Sequence, residues 1–179
     1  MTGRVGIFGG AFDPPHNGHV ALARTAMERL GLERLHVTVV VAPGHKETIA
    51  PAEHRLELAR LAFAELGTVE PELYEYTVDA LEAYGYEDPV FLVGADELAD
   101  FPTWKEPERV LELARLGVAT RPGYRPEVAS PRIEVFELEP YPVSSSEIRD
   151  RVRRGEPIDG LVPDAVARRI AELGLYRDA

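Results

Sequence analysis

Apolar residues recur along this chain with two periods, one typical of β-strands and one typical of α-helices, in alternating segments. Continuous or alternating apolar runs, which are typical of β-strands, occupy residues 5–8, 35–42, 69–76, 89–93, 117–120 and 132–138. Apolar residues at helical spacing occupy residues 18–30, 52–66, 77–84, 106–114, 145–154 and 163–173. The runs 5–8 and 89–93 are apolar throughout and the run 35–42 is rich in β-branched residues, as in strands that are covered on both faces. The pattern predicts an α/β fold built on a parallel sheet with helices on both faces.

The order of these elements refines the prediction of fold and domain organisation. Strands and helices alternate up to the strand at 117–120, a further strand and two helices follow, and there are no internal repeats or obvious linkers. We therefore expect a doubly wound, Rossmann-like sheet in a single domain that spans residues 1–179. Two stretches rich in proline and glycine, 121–126 and 155–163, are expected to be surface loops of that domain.

Composition excludes several classes of function. The net charge of −11 argues against a general nucleic-acid or anionic-membrane binder, because such surfaces repel an acidic protein. The chain has no cysteine, which excludes disulfides and thiolate metal sites and fits a cytoplasmic protein. No apolar run approaches the length of a membrane span, and we expect no signal peptide. A small anionic ligand in a locally basic pocket remains compatible with these numbers.

Three irregular segments follow strands and are predicted to share one edge of the sheet. They are residues 9–19 ("GGAFDPPHNGH"), 42–46 ("APGHK") and 94–104 ("GADELADFPTW"). In open α/β sheets the ligand binds beyond the carboxyl ends of the strands. We therefore expect the ligand site at this edge.

The first segment has the features of a phosphate-binding turn. Its glycines permit a tight turn with close backbone approach, and a helix is predicted to start near Asn17 with its positive end towards the ligand. His16 and His19 are three residues apart, so both imidazoles can face one ligand and donate hydrogen bonds to it. The alternative is a plain strand–turn–helix corner with a solvated His16. A zinc site is disfavoured, because no suitable third ligand lies nearby.

A second turn with similar properties lies at residues 143–149 ("VSSSEIR"). Its serines supply hydroxyls and a helix cap, and the first backbone N–H groups of a helix can bind an anion. Arg149 lies one helical turn from this cap. The alternative is a simple helix cap followed by a solvated arginine.

The two turns resemble the motifs of one superfamily. Residues 10–19 match G-x-F-D-P-x-H-x-G-H, the signature of the HxGH nucleotidyltransferases, and the serine turn followed by Ile-Arg resembles their second motif. The resemblance implies that the two histidines contact the triphosphate of ATP and that the second motif clasps it from the opposite side. It assigns catalysis to His16, His19 and Arg149. It implies ATP contacts for Gly9, Gly10, Phe12, His16, Gly18, His19, Asp96, Ser145, Ser146, Ile148 and Arg149.

Further segments resemble one family within that superfamily, the bacterial nicotinate-mononucleotide adenylyltransferases. "APGHKE" is similar to that family's Pro-Pro-His-Lys/Arg segment, with Gly44 in place of one proline. "YTVDAL" (76–81), "GADELADFPTW" (94–104), "TRPGY" (120–124) and "GLYR" (174–177) are similar to other segments of these enzymes. The resemblance extends over essentially the whole chain. It implies mononucleotide contacts for Phe12, Asp13, His45, Lys46, Thr77, Trp104 and Arg121.

Some of these residues also have structural alternatives. Trp104 offers a face on which a pyridine ring can stack, and the alternative is a core tryptophan. Asp96, at the end of a strand, can accept hydrogen bonds from ribose hydroxyls, and the alternative is a helix N-cap. Thr77 can cap a helix, and with neighbouring N–H groups it can meet the carboxylate of nicotinate. Arg121 is expected at the phosphate of the mononucleotide or at ATP.

The resemblance implies direct adenylyl transfer from ATP to nicotinate mononucleotide, with pyrophosphate as the leaving group. The attacking phosphate is already ionised, so we expect positioning and charge stabilisation without a protein nucleophile. His19 is expected nearest the α-phosphate, with Lys46, Ser145 and Arg149 supporting the triphosphate. Mg²⁺ is expected to arrive with ATP, and no metal site of the protein's own is predicted. The alternatives are a phosphopantetheine adenylyltransferase and a non-catalytic nucleotide sensor of the same fold.

Overall fold

The computed structural model describes residues 3–42, 44 and 47–178. Within these residues the chain forms six strands, seven α-helices and one 3-10 helix. The strands are β1 (Val5–Gly10), β2 (Arg34–Val40), β3 (Gly67–Glu72), β4 (Val90–Gly94), β5 (Arg115–Thr120) and β6 (Ile133–Glu137). The helices are α1 (Asn17–Leu30), α2 (Ala52–Ala62), α3 (Thr77–Tyr84), α4 (Ala95–Asp100), α5 (Pro107–Leu113), α6 (Ser145–Arg153) and α7 (Asp164–Leu173), and the 3-10 helix is Phe101–Thr103.

The strands form one sheet in the order β3-β2-β1-β4-β5-β6. This is the order of a doubly wound sheet, in which the chain runs outwards from β1 first on one side and then on the other. The pairs β1–β4, β4–β5 and β5–β6 are parallel. Because helices flank such a sheet, the first four residues of β1 are all buried. The predicted doubly wound, Rossmann-like α/β fold is confirmed.

Several predicted boundaries are wrong by a few residues. The third strand, predicted over 69–76, is Gly67–Glu72, because the Glu72 carboxylate accepts the Tyr74 N–H at 3.0 Å and turns the chain out of the sheet. The helix predicted over 52–66 ends at Ala62. Thr77 was predicted to cap α3, but Tyr76 is the N-cap and no side chain bonds the first N–H groups there.

Helix α4 was not predicted. Its six residues are too few to show a helical period, so the sequence pattern predicts one irregular segment over residues 94–104. The Glu97 carboxylate reaches back to accept the Gly94 N–H at 2.8 Å. A glutamate three residues after a potential helix cap is the signal that could have identified this helix.

The chain divides into two compact units, each with its own core. The first unit comprises the chain up to Phe8, Leu22–His36 and Glu72–Glu139, and the second comprises Gly9–Ala21, Val37–Pro71 and the chain from Pro140. The first core includes Ile7, Val78, Val93, Val110, Leu116 and Val118, and the second includes Leu58, Ile148, Val162, Val166, Ile170 and Tyr176. Because β1, α1 and β2 each contribute residues to both units, the division does not test the predicted single domain, which stays a prediction.

Among the described residues, no helix combines the length and the apolar character needed to cross a membrane.

Candidate active site

The turn between β1 and α1 is anchored in the core of the second unit by Phe12. This side chain is only 2% exposed, and its ring makes edge contacts with Phe63 at 5.2 Å and His19 at 5.1 Å between centroids. The φ angle of Phe12 is 49°, a left-handed conformation that costs a non-glycine residue about 1 kcal/mol or more. A Cβ on Gly10 would lie 3.0 Å from the Phe12 ring, so the glycine leaves room for the phenyl group.

Hydrogen bonds fix the protonation of the two histidines in this turn. Nδ1 of His16 accepts the N–H groups of Gly18 at 3.0 Å and His19 at 3.3 Å, and Nδ1 of His19 accepts the His16 N–H at 3.1 Å. The two rings stack with centroids 3.7 Å apart. A ring nitrogen that accepts carries no proton, so each neutral imidazole holds its proton on Nε2. Each imidazole can therefore donate an Nε2–H to a phosphate oxygen.

The backbone N–H groups at the start of α1, which are predicted to bind phosphate, have acceptors within the protein. The N–H of Asn17 bonds the Leu161 carbonyl at 2.9 Å, and the N–H of Val20 bonds the His16 carbonyl at 3.2 Å. The N–H groups of Gly18 and His19 are taken by His16, so the first turn of the helix is satisfied by the protein itself. These N–H groups therefore have acceptors within the protein, and the predicted phosphate contact of this turn stays a prediction.

The second motif contacts the first within the second unit. The Ser144 hydroxyl caps α6 by accepting the Glu147 N–H at 3.1 Å. The Ser145 hydroxyl donates to the Pro14 carbonyl at 2.8 Å, and the Arg149 guanidinium donates to the Asp13 carbonyl at 2.8 Å. The structure thus brings together the two turns that the sequence analysis predicted to bind one triphosphate.

Arg149 also donates to the Ser146 hydroxyl at 3.3 Å. A guanidinium has five N–H donors, and these two bonds account for part of them. The N–H groups of Ser145 and Ser146 are the ones that an α-helix leaves without an intrahelical acceptor. The start of α6 therefore combines a fixed cation, hydroxyls and backbone donors, which suits it to bind an anion.

Asp13 is buried at the centre of the first turn. Its side chain is 5% exposed, and its carboxylate accepts the N–H groups of Ile49 at 2.7 Å and Ala50 at 3.1 Å and the Tyr176 hydroxyl at 2.7 Å. These partners give Asp13 a structural role. Its predicted contact with the mononucleotide stays a prediction.

Arg55 is a buried arginine that the sequence analysis missed. It lies on α2, is 1% exposed, and donates to the carbonyls of Ala11 at 2.8 Å, Val40 at 2.7 Å, Val41 at 2.9 Å and Ala50 at 3.1 Å. Burial lowers the pKa of Arg55 from its ordinary value, and Asp13 opposes that shift. One side chain thereby holds three segments of the second unit: the residues after β1, the end of β2 and the approach to α2.

The first unit holds the residues predicted for the pyridine ring. Trp104 is half-buried, and its ring makes edge contacts with Phe101 at 5.2 Å and Phe91 at 6.0 Å. The next residue, Lys105, bonds both Asp79 oxygens at 2.9 and 3.0 Å, two positions beyond Thr77. This ion pair brings the Thr77 and Trp104 segments together.

Asp96 and Arg121, which are also predicted to contact a substrate, lie at the surface of the first unit. Asp96 was predicted at the end of a strand, but it lies in the first turn of α4, capped by Gly94, and it is exposed. Arg121 is exposed directly after β5. His45 and Lys46 lie outside the described residues.

The comparisons with known proteins place this geometry in a family. The chain matches the family described as Cytidylyltransferase-like over residues 7–151. A "Probable nicotinate-nucleotide adenylyltransferase" of Thermus thermophilus is 41% identical, and the match covers 97% of this chain and 100% of the relative. The nicotinate-nucleotide adenylyltransferase of Bacillus subtilis is 33% identical, with 97% of this chain and 98% of the relative covered. The chain belongs to the nicotinate-nucleotide adenylyltransferase family.

Solved structures agree on the fold. The nicotinic acid mononucleotide adenylyltransferase of Plasmodium falciparum complexed with NaAD superimposes with a TM-score of 0.77, and the match covers 97% of each chain at 17% identity. At that identity the likeness shows the fold alone. The family membership confirms the resemblance predicted from the two motifs and from the segments that follow the strands.

The predicted ATP contact of Ile148 disagrees with the structure. The Ile148 side chain is fully buried in the core of the second unit, and its N–H bonds the Ser144 carbonyl at 3.1 Å. Neither group can meet ATP while α6 is folded, so the structure contradicts a contact through either of them. In this family member, Ile148 anchors the helix that carries Arg149.

The geometry predicts a dependence of stability on pH. Burial lowers the pKa of His16 from 6.5 to about 4, because the charged imidazole is poorly solvated at this site. Below about pH 6.5 the unfolded chain therefore takes up a proton that the folded protein excludes. We expect the free energy of unfolding to fall by about 3 kcal/mol between about pH 7 and pH 4 on account of this residue.

Urea unfolding across this pH range, compared between the wild type and His16→Asn, isolates the contribution of the imidazole. Asparagine can accept the same backbone N–H groups but does not titrate. The wild type should lose more stability than the variant as the pH falls. Parallel stability curves for the two proteins would contradict the assignment.

Proposed function

We propose that this protein transfers the adenylyl group of ATP to nicotinate mononucleotide, giving nicotinate adenine dinucleotide and pyrophosphate in NAD biosynthesis. The observation that carries the proposal is the stacked pair of neutral imidazoles, His16 and His19, in the same compact unit as the N-terminus of α6 and Arg149. Relatives that cover nearly the whole chain carry the name of this activity.

The reaction in this proposal is a direct displacement. A phosphate oxygen of the mononucleotide attacks the α-phosphorus of ATP, the bond to the β-phosphate oxygen breaks, and pyrophosphate leaves with that electron pair. The nucleophile is ionised at neutral pH and needs no general base. Catalysis is positioning together with stabilisation of the charge that builds on the α-phosphate.

The two histidines donate from Nε2 to the phosphate oxygens, with His19 nearest the α-phosphate. Neutral imidazoles suit this task, because their Nδ1 atoms are engaged by backbone N–H groups and the donor on Nε2 is fixed before ATP arrives. Arg149 and the first N–H groups of α6 support the β- and γ-phosphates. Ser145, Ser146, Gly9, Gly10 and Gly18 remain proposed ATP contacts at these two turns.

Mg²⁺ enters the proposal as an ion carried by ATP. No group of three or more histidine, aspartate or glutamate side chains that could hold a metal occurs in the described part of the chain, so phosphate oxygens rather than protein carboxylates would be its ligands. Bound there, the ion would neutralise part of the phosphate charge.

Trp104 and Thr77 form the proposed pyridine site. The indole is half-buried and held at its edges by Phe91 and Phe101, so its orientation is fixed for stacking. Thr77 and the N–H groups at the start of α3 would meet the carboxylate of the nicotinate ring. Arg121, Lys46 and His45 are proposed contacts of the mononucleotide, and Asp96 of a ribose. The cytoplasmic location and the absence of nucleic-acid and membrane partners stay predictions.

Pyrophosphate release from ATP and Mg²⁺ tests the proposal when nicotinate mononucleotide, nicotinamide mononucleotide and phosphopantetheine are offered separately. We expect rapid release with nicotinate mononucleotide and much slower release with the other two. Release only with phosphopantetheine would overturn the pyridine site and leave the phosphate site in place. Binding of ATP without release in any mixture would indicate a nucleotide sensor.

A further inference from the structure

The C-terminal segment of the chain returns to the interior of the second unit. After α7, Gly174 and Tyr176 adopt left-handed φ angles of 64° and 66°, which turn the chain back on itself. This conformation is unfavourable for tyrosine, yet Tyr176 is only 4% exposed and belongs to the same core cluster as Ile148, Val166 and Ile170. A residue three positions from the end of the chain is thus as buried as the core around it.

The Tyr176 hydroxyl donates a hydrogen bond of 2.7 Å to the Asp13 carboxylate. Burial and the adjacent Asp13 raise the pKa of this phenol well above its usual range, so it remains a donor at any pH at which the protein works. The backbone N–H groups of Ile49 and Ala50, which lie just before α2, donate to the same carboxylate. Asp13 is therefore held between the C-terminal segment and residues 49–50.

Asp13 is also joined to the phosphate-binding groups. Its backbone carbonyl accepts the bond from Arg149, and it lies three residues before His16 in the same turn. The next carbonyl, of Pro14, accepts the Ser145 hydroxyl. Displacement of Asp13 would therefore displace the acceptors that align Arg149 and Ser145, together with the backbone that leads into the histidines.

We infer that Tyr176 is a positioning residue for adenylyl transfer, acting through Asp13 on Arg149 and on the histidine turn. The inference rests on the proposed function for its kinetic consequence. Without the hydroxyl, the donors that remain to the carboxylate among the described residues are the N–H groups of residues 49–50, and it is drawn towards them. The Asp13 carbonyl moves with it, and Arg149 and the imidazoles lose their alignment. A misplacement of about 1 Å can slow a reaction that depends on in-line geometry about 100-fold, so a smaller shift is enough for a measurable loss.

The test compares Tyr176→Phe with the wild type and with Tyr84→Phe. The first substitution removes the hydroxyl and keeps the buried ring. The second removes a matched tyrosine–carboxylate bond, the 2.8 Å contact of Tyr84 with Glu72 in the first unit. Each protein is assayed well below its own unfolding temperature. We expect Tyr176→Phe to lower kcat about tenfold with little change in the KM for ATP, and Tyr84→Phe to keep kcat within twofold.

A second readout does not depend on turnover. The ring-proton NMR signals of His16 and His19, assigned from single substitutions of each histidine, report the alignment of the turn in the protein without substrate. We expect both signals to shift in Tyr176→Phe and to stay in place in Tyr84→Phe.

Unchanged ring signals in Tyr176→Phe would overturn the inference, because the hydroxyl would then contribute only to folding. A kcat within twofold of the wild type, or an equal loss in both variants, would also overturn it. If the wild type releases no pyrophosphate with nicotinate mononucleotide, the proposed function fails, and the ring signals alone decide the role of Tyr176.

Discussion

A His19→Ala variant is expected to lose about 100-fold or more of kcat. The substitution removes the Nε2–H that the account places nearest the α-phosphate, where negative charge increases in the transition state. It also removes the ring that stacks on His16 and the Nδ1 that accepts the His16 N–H. His19 is only half-buried, so the free energy of unfolding should fall by no more than about 1 kcal/mol. Steady-state pyrophosphate release and urea unfolding measure the two effects separately.

His54→Ala is the matched control. His54 lies in the first turn of α2, in the same unit, and it is also half-buried. We expect this control to keep wild-type kcat. His19→Gln should retain more activity than His19→Ala, because the amide of glutamine can donate from nearly the position of Nε2. Near-normal turnover of His19→Ala would contradict the assignment of the imidazole to the reacting phosphate.

Arg55→Met is expected to lower the free energy of unfolding by about 3–5 kcal/mol. The substitution keeps an unbranched side chain of similar length but leaves the four carbonyls that Arg55 bonds without their donor. Arg55 is 1% exposed and its bond to the Ala50 carbonyl is buried, whereas the other three bonds are part-buried, so water can only partly replace the guanidinium. Urea unfolding at neutral pH measures the loss.

The control for this prediction is Arg60→Met on the same helix. Arg60 is exposed, so its replacement should change stability by no more than about 0.5 kcal/mol. A loss of less than about 1 kcal/mol in Arg55→Met would show that the carbonyls find other partners, and that Arg55 does not hold the ends of β1 and β2.

Features of the fold and site that depend on local pattern could be predicted from the sequence. The apolar run at residues 5–8 predicts a strand that is covered on both faces, because the hydrophobic effect acts wherever such a run occurs. The spacing of His16 and His19 predicts two imidazoles on one side of a helix start, and in the structure they stack.

Features that depend on contacts across the chain could not be predicted in this way. Arg55 lies in an ordinary amphipathic helix, and only the folded chain brings the carbonyls of residues 11, 40, 41 and 50 around it. Tyr176 meets Asp13 across 163 positions of sequence. The protonation of His16 depends on which N–H groups reach Nδ1, and the sequence alone carries no such geometry. Ile148 was assigned to ATP with its motif, although its apolar side chain anchors the helix.

The most direct test of the account uses ATP that is radiolabelled at the α-phosphorus, incubated with the protein, Mg²⁺ and nicotinate mononucleotide. Direct transfer predicts that the label appears in nicotinate adenine dinucleotide in step with pyrophosphate release, and that no label remains on the denatured protein. Label that stays in ATP would contradict the proposed function. Label that is covalently attached to the protein would contradict displacement without a protein nucleophile.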